Sequence, residues 1–213
     1  MLLLNFQAGF IICHMLLFNI EITDEARKSL QAYVDELLKW NRTVNLIGRS
    51  TEDNVWENHI RDSLELFPYL EADPCLTVID IGSGGGIPAI PLSILLPGRK
   101  FFLTDRDSKK LAFLEIIAAR LRLNASVIDI NAGFIFRERS IIISRAYSSV
   151  KNIIKWAGVH APGAVRYYLL KGVREGLMDE LAEAGNTALD YEIVSLVKGN
   201  LLIINPEFIR NPD

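Results

Sequence analysis

The sequence predicts an α/β fold: a seven-stranded, mostly parallel sheet that ends in an antiparallel hairpin and carries a helical cap on its N-terminal side. Three observations predict it. From Leu76 onward, short β-rich runs alternate with stretches of helical period; a glycine-rich segment directly follows the first run; and the last two runs stand too close together for a crossover helix. A chain of 213 residues, half of them apolar, can bury one good core and is expected to form one compact unit.

The first 20 residues, MLLLNFQAGFIICHMLLFNI, are apolar but broken by Asn5, Gln7, His14 and Asn19, and they lack a basic leader or a small-residue cleavage site. They give little support to a signal peptide or a membrane span. Residues 1–14 are expected to be a dispensable extension, residues 15–73 the cap, and residues 74–213 the core, the last two forming one unit. Within the cap, residues 24–40 place Leu30, Tyr33, Val34, Leu37 and Leu38 on one helical face, with Thr23 as N-cap and acids in the first turn. A second helix is expected from about Glu52 to Tyr69, with Val55, Trp56, Ile60, Leu64 and Phe67 on its apolar side.

The strands follow in order. TVIDI (77–81) leads into the glycine segment and a helix; KFFLTD (100–105) into a helix over 108–124; ASVIDI (125–130) precedes SIIIS (140–144) and a helix near 150–157; RYYLL (166–170) precedes a helix near 174–184. EIVSLV and LLIIN are separated only by Lys198, Gly199 and Asn200, so they must form a hairpin. Cys13 and Cys75 belong to no CxxC or Cys/His cluster, which predicts no zinc site, no disulfide framework and a reducing cytoplasmic setting.

Net charge is −3 but unevenly spread: residues 99–174 hold 15 basic against 5 acidic side chains, and the flanking segments are acidic. A local positive field of this kind suits an RNA backbone, although a solvated set of helix faces gives the same count.

The segment Asp80-Ile81-Gly82-Ser83-Gly84-Gly85-Gly86-Ile87-Pro88 sits at a strand-to-helix turn, where glycines let a backbone approach a ligand closely. The dinucleotide fingerprint GxGxxG would need glycine at position 87, which is Ile87; the spacing here is GxGxG. Asp80 would repel a pyrophosphate but complements a cationic methionine moiety, and no Lys-Ser/Thr pair follows to make a P-loop. The cofactor expected is S-adenosylmethionine, held by Asp80, Gly82, Ser83, Gly84, Gly86 and Ile87. Asp105, at the end of the next strand and 19 residues beyond Gly86, suits the two ribose hydroxyls; Asp107 better suits the cap of the helix beginning at Ser108. The adenine is expected near Asn131 and Ala132. Seven strands, a terminal hairpin and this loop together describe a Rossmann-like class I methyltransferase.

The blocks LLKWNRTVNL, NHIRDSLELFPYL, GSGGGIPAIPLSILLP, LTDRDSKKLAFL, IISRAYSSV and YYLLKG, in this order, resemble the RsmG (GidB) family of small-subunit ribosomal-RNA methyltransferases over about residues 15–205. The resemblance implies methyl transfer to N7 of a guanine in the 530 loop of 16S rRNA. It places Asn45, His59 and Ser63, from family-like blocks of the cap, on the target-base side. Where the family commonly carries acids after its third strand, this chain has Asn131, Ala132 and Gly133, and its hairpin turn is brief.

Exclusion on chemical grounds agrees. An exocyclic-amine methyltransferase uses an Asn/Asp-Pro-Pro-aromatic loop, but Ser144-Arg145-Ala146-Tyr147 stands there. A pyrimidine C5 enzyme needs a thiolate, and neither cysteine lies near that loop. Ribose 2′-O transfer is the stronger rival, with Lys171 as base; guanine N7 already carries a lone pair and needs no base. Arg145 is the expected catalytic residue, holding cofactor or guanine by charge-assisted hydrogen bonds, its alternative role being an ion pair with Asp80 or Asp129. Lys171 reads as a phosphate contact or a solvated strand end, and Trp40 and Trp56 as core rather than RNA-stacking residues. The rival readings are an RNA-binding assembly factor without activity and a small-molecule methyltransferase. The expected partner is 16S rRNA within assembled small subunits, bound by a monomer with no membrane attachment.

Overall fold

The computed structural model describes residue 20, residues 22–185 and residues 189–206; the expected extension 1–14 lies outside them. The helices are α1 (Asp24–Asn41), α2 (Arg61–Leu64), α3 (Phe67–Ala72), α4 (Ala89–Leu95), α5 (Ser108–Arg120), α6 (Val150–His160) and α7 (Arg174–Glu183). The strands are β1 (Thr77–Ile81), β2 (Lys100–Asp105), β3 (Ala125–Asp129), β4 (Ser140–Arg145), β5 (Ala164–Lys171), β6 (Asp190–Ser195) and β7 (Asn200–Asn205).

They form one seven-stranded sheet in the order β3-β2-β1-β4-β5-β7-β6. Strands β1 to β5 are mutually parallel, while β7 runs antiparallel to both β5 and β6. The short connection does make a hairpin, closed by Leu196 N–H donating to Gly199 O. Strand order reverses between β1 and β4, which is where an α/β sheet opens a crevice at the carboxyl ends of its strands.

Side-chain parity assigns the two faces. Val78, Phe101, Leu103, Ile141, Ile143 and Tyr168 join one core with α4, α5 and the cap. Ile79, Phe102, Ile142, Tyr167 and Leu169 join the other with α6 and α7. Alternation then carries Asp80, Asp105 and Arg145 to the cap side and Lys171 to the side of α7.

The cap departs from expectation in one respect. α1 forms as expected, with Thr23 Oγ1 accepting from Ala26 N–H, but the second helix is broken. A 3₁₀ turn (Arg49–Asn54) and a π turn (Trp56–Ile60) precede α2, and α3 begins separately. Pro68 gives one reason, since it has no N–H to offer the carbonyl four residues back at Leu64. The π turn lies where the chain meets Arg145, and π turns are frequent at functional sites. Trp40 and Trp56 both pack against the apolar core, Trp40 also donating to Glu36.

The cap is locked to the sheet through the glycine loop. Tyr33 is fully buried on α1, and its hydroxyl donates to Gly85 O at 2.7 Å. Leu37 and Leu46 leave so little room beside Gly85 that a β-carbon there would fall 3.0 Å from Leu37 Cδ1. Removing the hydroxyl would strand a buried carbonyl, so Tyr33→Phe is expected to lower stability by about 1–3 kcal/mol. Chemical denaturation of the variant beside the wild type measures it, and an unchanged midpoint would show that the bond contributes nothing.

Candidate active site

The residues expected to bind cofactor are brought together at the carboxyl ends of β1, β2 and β3. Asp80 lies near the end of β1, just before the glycine loop, and is wholly buried; neither carboxylate oxygen has a hydrogen-bond partner among the described residues. Burial pushes this carboxyl up to about 8, with the Asp105 charge adding and the Ser83 hydroxyl opposing. A buried carboxyl raised in this way stays mostly neutral at neutral pH until a cation comes beside it.

The loop itself is held by β2. Ser83 N–H donates to Thr104 O, Thr104 N–H donates to Ser83 Oγ, and Thr104 Oγ1 donates to Asp80 O. Ser83 is therefore a structural tie, 2% exposed, whose side chain braces the loop from behind. Gly84 and Gly86 have φ of +56° and +86°, the left-handed region that side chains rarely adopt. A β-carbon on Gly86 would also strike Ile90, whereas at Gly84 the space is open. Ile87 is buried in the core below the loop.

Asp105 closes the arrangement. Its Oδ2 accepts Gly84 N–H at 2.9 Å, and its Oδ1 accepts Arg106 N–H and Asp107 N–H. A carboxylate has about four lone-pair positions, and three of these are used, so one remains for a ribose hydroxyl unless the Gly84 bond opens. Helix capping falls to Asp107, which accepts from Lys109 and Lys110 N–H. Asn131 and Ala132 are exposed in a 3₁₀ turn directly after β3, and Asp129, paired in register with Asp105, accepts from Asn131 N–H.

Arg145 ends β4. Its guanidinium donates to His59 Nδ1 at 2.9 Å, to Asn58 O at 2.8 Å and to Asp62 Oδ2 at 3.3 Å. Its counter-ion is thus Asp62, not Asp80 or Asp129. An arginine has only donors, so His59 Nδ1 must accept; its Nε2 then carries the proton toward Thr51 Oγ1 at 2.8 Å, and Thr51 donates on to Gly48 O. Burial first, then Arg145 and Lys198, lower His59 to about 4. The histidine is a neutral relay that orients Arg145.

Other expected substrate residues separate. Asn45 is exposed beside Leu46, whose carbonyl abuts Gly85. Ser63 is fully buried and donates to His59 O at 2.6 Å, so it shapes the cap from within rather than facing a base. Lys171 is neither solvated nor unengaged: its ammonium donates to Ser148 O and to Glu180 Oε2, 2.7 Å away. Glu180 also receives Val150 N–H at the start of α6.

A cavity of about 580 Å³ opens beside this cluster, lined among others by Asp62, Arg145, Tyr147, Lys171 and Lys198. Its roof is the hairpin turn, fastened to the cap by Val197 N–H on Glu65 and by Lys198 Nζ on Asn58 Oδ1. Tyr147 stands at its inner side, its ring so close to Gly82 that a β-carbon there would lie 2.0 Å away. Sequence reasoning missed Tyr33, Asp62, Tyr147 and Glu180 as site residues. Of these, only Asp62 and Tyr147 carried a signal, each lying within a block that was read.

This sheet order, with an acid before the glycine loop and a second at the end of β2, defines a class I Rossmann-like methyltransferase fold. Solved structures agree on the fold: a methyltransferase from Pyrococcus furiosus superposes with a TM-score of 0.52 at 13% identity, covering 67% of this chain and 82% of that one. A ribosomal protein L11 methylase from Lactobacillus delbrueckii gives 0.51 at 17%, covering 68% and 76%. More particularly, the chain belongs to the GidB family, rRNA small subunit methyltransferase G, whose profile matches residues 26–199. Proteins named ribosomal RNA small subunit methyltransferase G from Neisseria meningitidis and Salmonella agona are 35% and 36% identical to it over 167 residues, covering 77% and 76% of this chain and 80% and 78% of theirs. The protein is therefore a methyltransferase.

Two expectations follow from the geometry. The unfolded chain ionises Asp80 near 3.8 and the folded one near 8, so this residue's contribution to stability is complete below about pH 4 and is lost as pH rises toward 8. Asp80→Asn should remove that decline from ligand-free melting curves while abolishing binding of S-adenosylhomocysteine; parallel pH profiles for variant and wild type would contradict the buried-carboxyl reading. Asp105→Ala should weaken the same ligand by about 1–3 kcal/mol through the lost hydroxyl bond, with unchanged calorimetric affinity reassigning Asp105 to loop closure alone.

Proposed function

We propose that the protein transfers a methyl group from S-adenosylmethionine to N7 of a guanine in 16S ribosomal RNA, in the 530 loop, within assembled small subunits. The residues present fit that cofactor: a buried carboxyl without a counter-charge for the cationic methionine end, an open glycine face at Gly84, and one unused acceptor position on Asp105. Asn131 and Ala132 would flank the adenine. When bound, the cofactor supplies an electrophilic methyl group on a cationic sulfur.

The observation that carries the choice of N7 is the state of Lys171. A 2′-O mechanism needs a base that can take a proton, and this lysine is bonded to both Glu180 and Ser148 O. His59 is engaged at both ring nitrogens. Guanine N7 has no proton to lose, so the chain's work is to bind and orient. Arg145 would hold acceptor atoms of the guanine or a phosphate, its direction fixed by His59 and Asp62. Exposed Arg106, Lys109, Lys151, Lys155, Arg174 and Lys198 lie on the loops and helices that follow strand ends, where they suit an RNA backbone.

No described helix is long and apolar enough to cross a membrane. The same proposal includes a cytoplasmic monomer built from a cap over residues 15–73 and a core over 74–213.

Radiolabelled methyl transfer into small subunits, with the product nucleoside identified, tests it. The wild type should yield 7-methylguanosine; Lys171→Ala should give the same product with a raised KM; Arg145→Ala should lose on the order of a hundredfold in turnover, as misplacement near 1 Å can cost. Arg145→Lys should recover little, because a point charge cannot reproduce the fork. A silent wild type would indicate an assembly factor, and a 2′-O-methylated product would restore Lys171 as base.

A further inference from the structure

One carboxylate in the cavity is only partly used. Asp62 lines the space beside Arg145, and its side chain is 13% exposed. Oδ2 meets the Arg145 guanidinium, while Oδ1 is buried and receives no hydrogen bond from any described residue. Burial outweighs the pull of Arg145, Lys198 and Arg61 and raises this carboxyl above its ordinary range. The surrounding groups are otherwise committed: Lys171 and Glu180 to each other, Lys198 to Asn58, and Glu65 to Val197 N–H.

Guanine has two unlike edges. O6 and N7 are acceptors; N1–H and the 2-amino group are donors on the opposite, Watson–Crick edge. An N7 that faces the methyl donor leaves those donors turned away from it, toward the surface that must identify the base. We propose that Asp62 accepts the N1–H and 2-amino hydrogens of the target guanine and so makes this site specific for guanine, an assignment that rests on the N7 reading above. Adenine would present an unprotonated ring nitrogen to the same carboxylate, lone pair against lone pair, and a buried acceptor left without a donor is strongly disfavoured.

The pairing also has the sign that catalysis needs. When N7 takes the methyl group, the N7–C bond forms as the S–C bond breaks, and the purine acquires the positive charge that leaves the sulfur. N1–H becomes more acidic, and its bond to a carboxylate strengthens as the charge develops, which favours the transition state over the bound substrate. Arg145 beside the same carboxylate opposes the effect of burial and favours its ionised form. Tyr147, 38% exposed on the same wall, offers an aromatic face on which a purine can stack. Asp62 reaches this position because the π turn and α2 present Asn58, His59 and Asp62 together toward the end of β4.

The test uses small subunits reconstituted with 16S RNA that carries either guanine or inosine at the position the wild type methylates. Inosine keeps N7, O6 and N1–H but lacks the 2-amino group. The wild type should prefer guanine about tenfold in kcat/KM, the loss expected for one hydrogen bond to a charged group. Asp62→Asn, equal in size, should fall on the order of a hundredfold on guanine and lose the preference for it. A variant that falls equally on both substrates and keeps the preference would show that Asp62 serves only to hold Arg145, and would overturn the proposal. A wild type that methylates guanine and inosine equally well would overturn it without recourse to any variant. If the wild type makes no 7-methylguanosine at all, the N7 reading fails and this assignment falls with it, an outcome separate from the first two because both of those require the wild type to form 7-methylguanosine.

Discussion

Asp80 leaves β1 in the middle of the sheet, between β2 and β4, and its carboxyl is wholly buried and meets no donor among the described residues. Much of the neighbouring architecture acts to keep it there. The Ser83–Thr104 bonds and the Gly84–Asp105 bond hold the loop against β2, and Tyr33 holds it against α1. A carboxyl able to rotate to solvent would simply ionise there and lose its demand for a cation. The instability is stored by a rigid surround, as expected where a site is preorganised for charge that arrives with a ligand.

The two faces of the sheet divide the work. Parity along β1, β2 and β4 turns Asp80, Asp105 and Arg145 toward the cap, while β5 turns Lys171 toward α7. Toward the cap, Asp80 has no partner among the described residues, Asp105 accepts three backbone amides, and Arg145 is directed through a fixed chain. Charge toward α7 is neutralised locally: Glu180 takes both Lys171 and the first amide of α6, and so sets where the loop after β4 begins its helix. The cap is for that reason more than a lid. Gly48, Thr51 and His59 form a hydrogen-bonded line that ends on the guanidinium.

Legibility in the sequence followed the range of the interaction. Strands β1 to β5 and the hairpin could be read because alternation and turn residues are local, and the Asp80–Gly86 loop because charge and glycine spacing are local too. Asp107 could be told from Asp105 as a helix cap by position alone. The second cap helix was misread because its apolar period continues through the π turn, and nothing in that period says that Arg145, over eighty residues away, will draw out Asn58 O and His59. Arg145 was recognised as a site residue, but its partner was sought among the strand acids, since a cap residue reaches it only after the fold is complete. Ser63 was placed facing a base because it shares a block with His59; on the helix it turns inward to His59 O. Tyr33 was read as core, which it is, and its hydroxyl contact lay beyond the reach of any pattern.

The hairpin turn that roofs the cavity has a consequence for how the protein comes into being. β7 is not an edge strand; it lies between β5 and β6, and the turn before it is bonded to Glu65 and Asn58 of the cap. During synthesis the cap, the glycine loop and β1 to β5 all emerge first, and domains tend to form as their residues become available. The sheet nevertheless has an unfilled slot beside β5, and the cavity an open side, until residues 197–205 leave the tunnel. The cavity beside Arg145 is thus completed last, after the glycine loop and the strands that carry it.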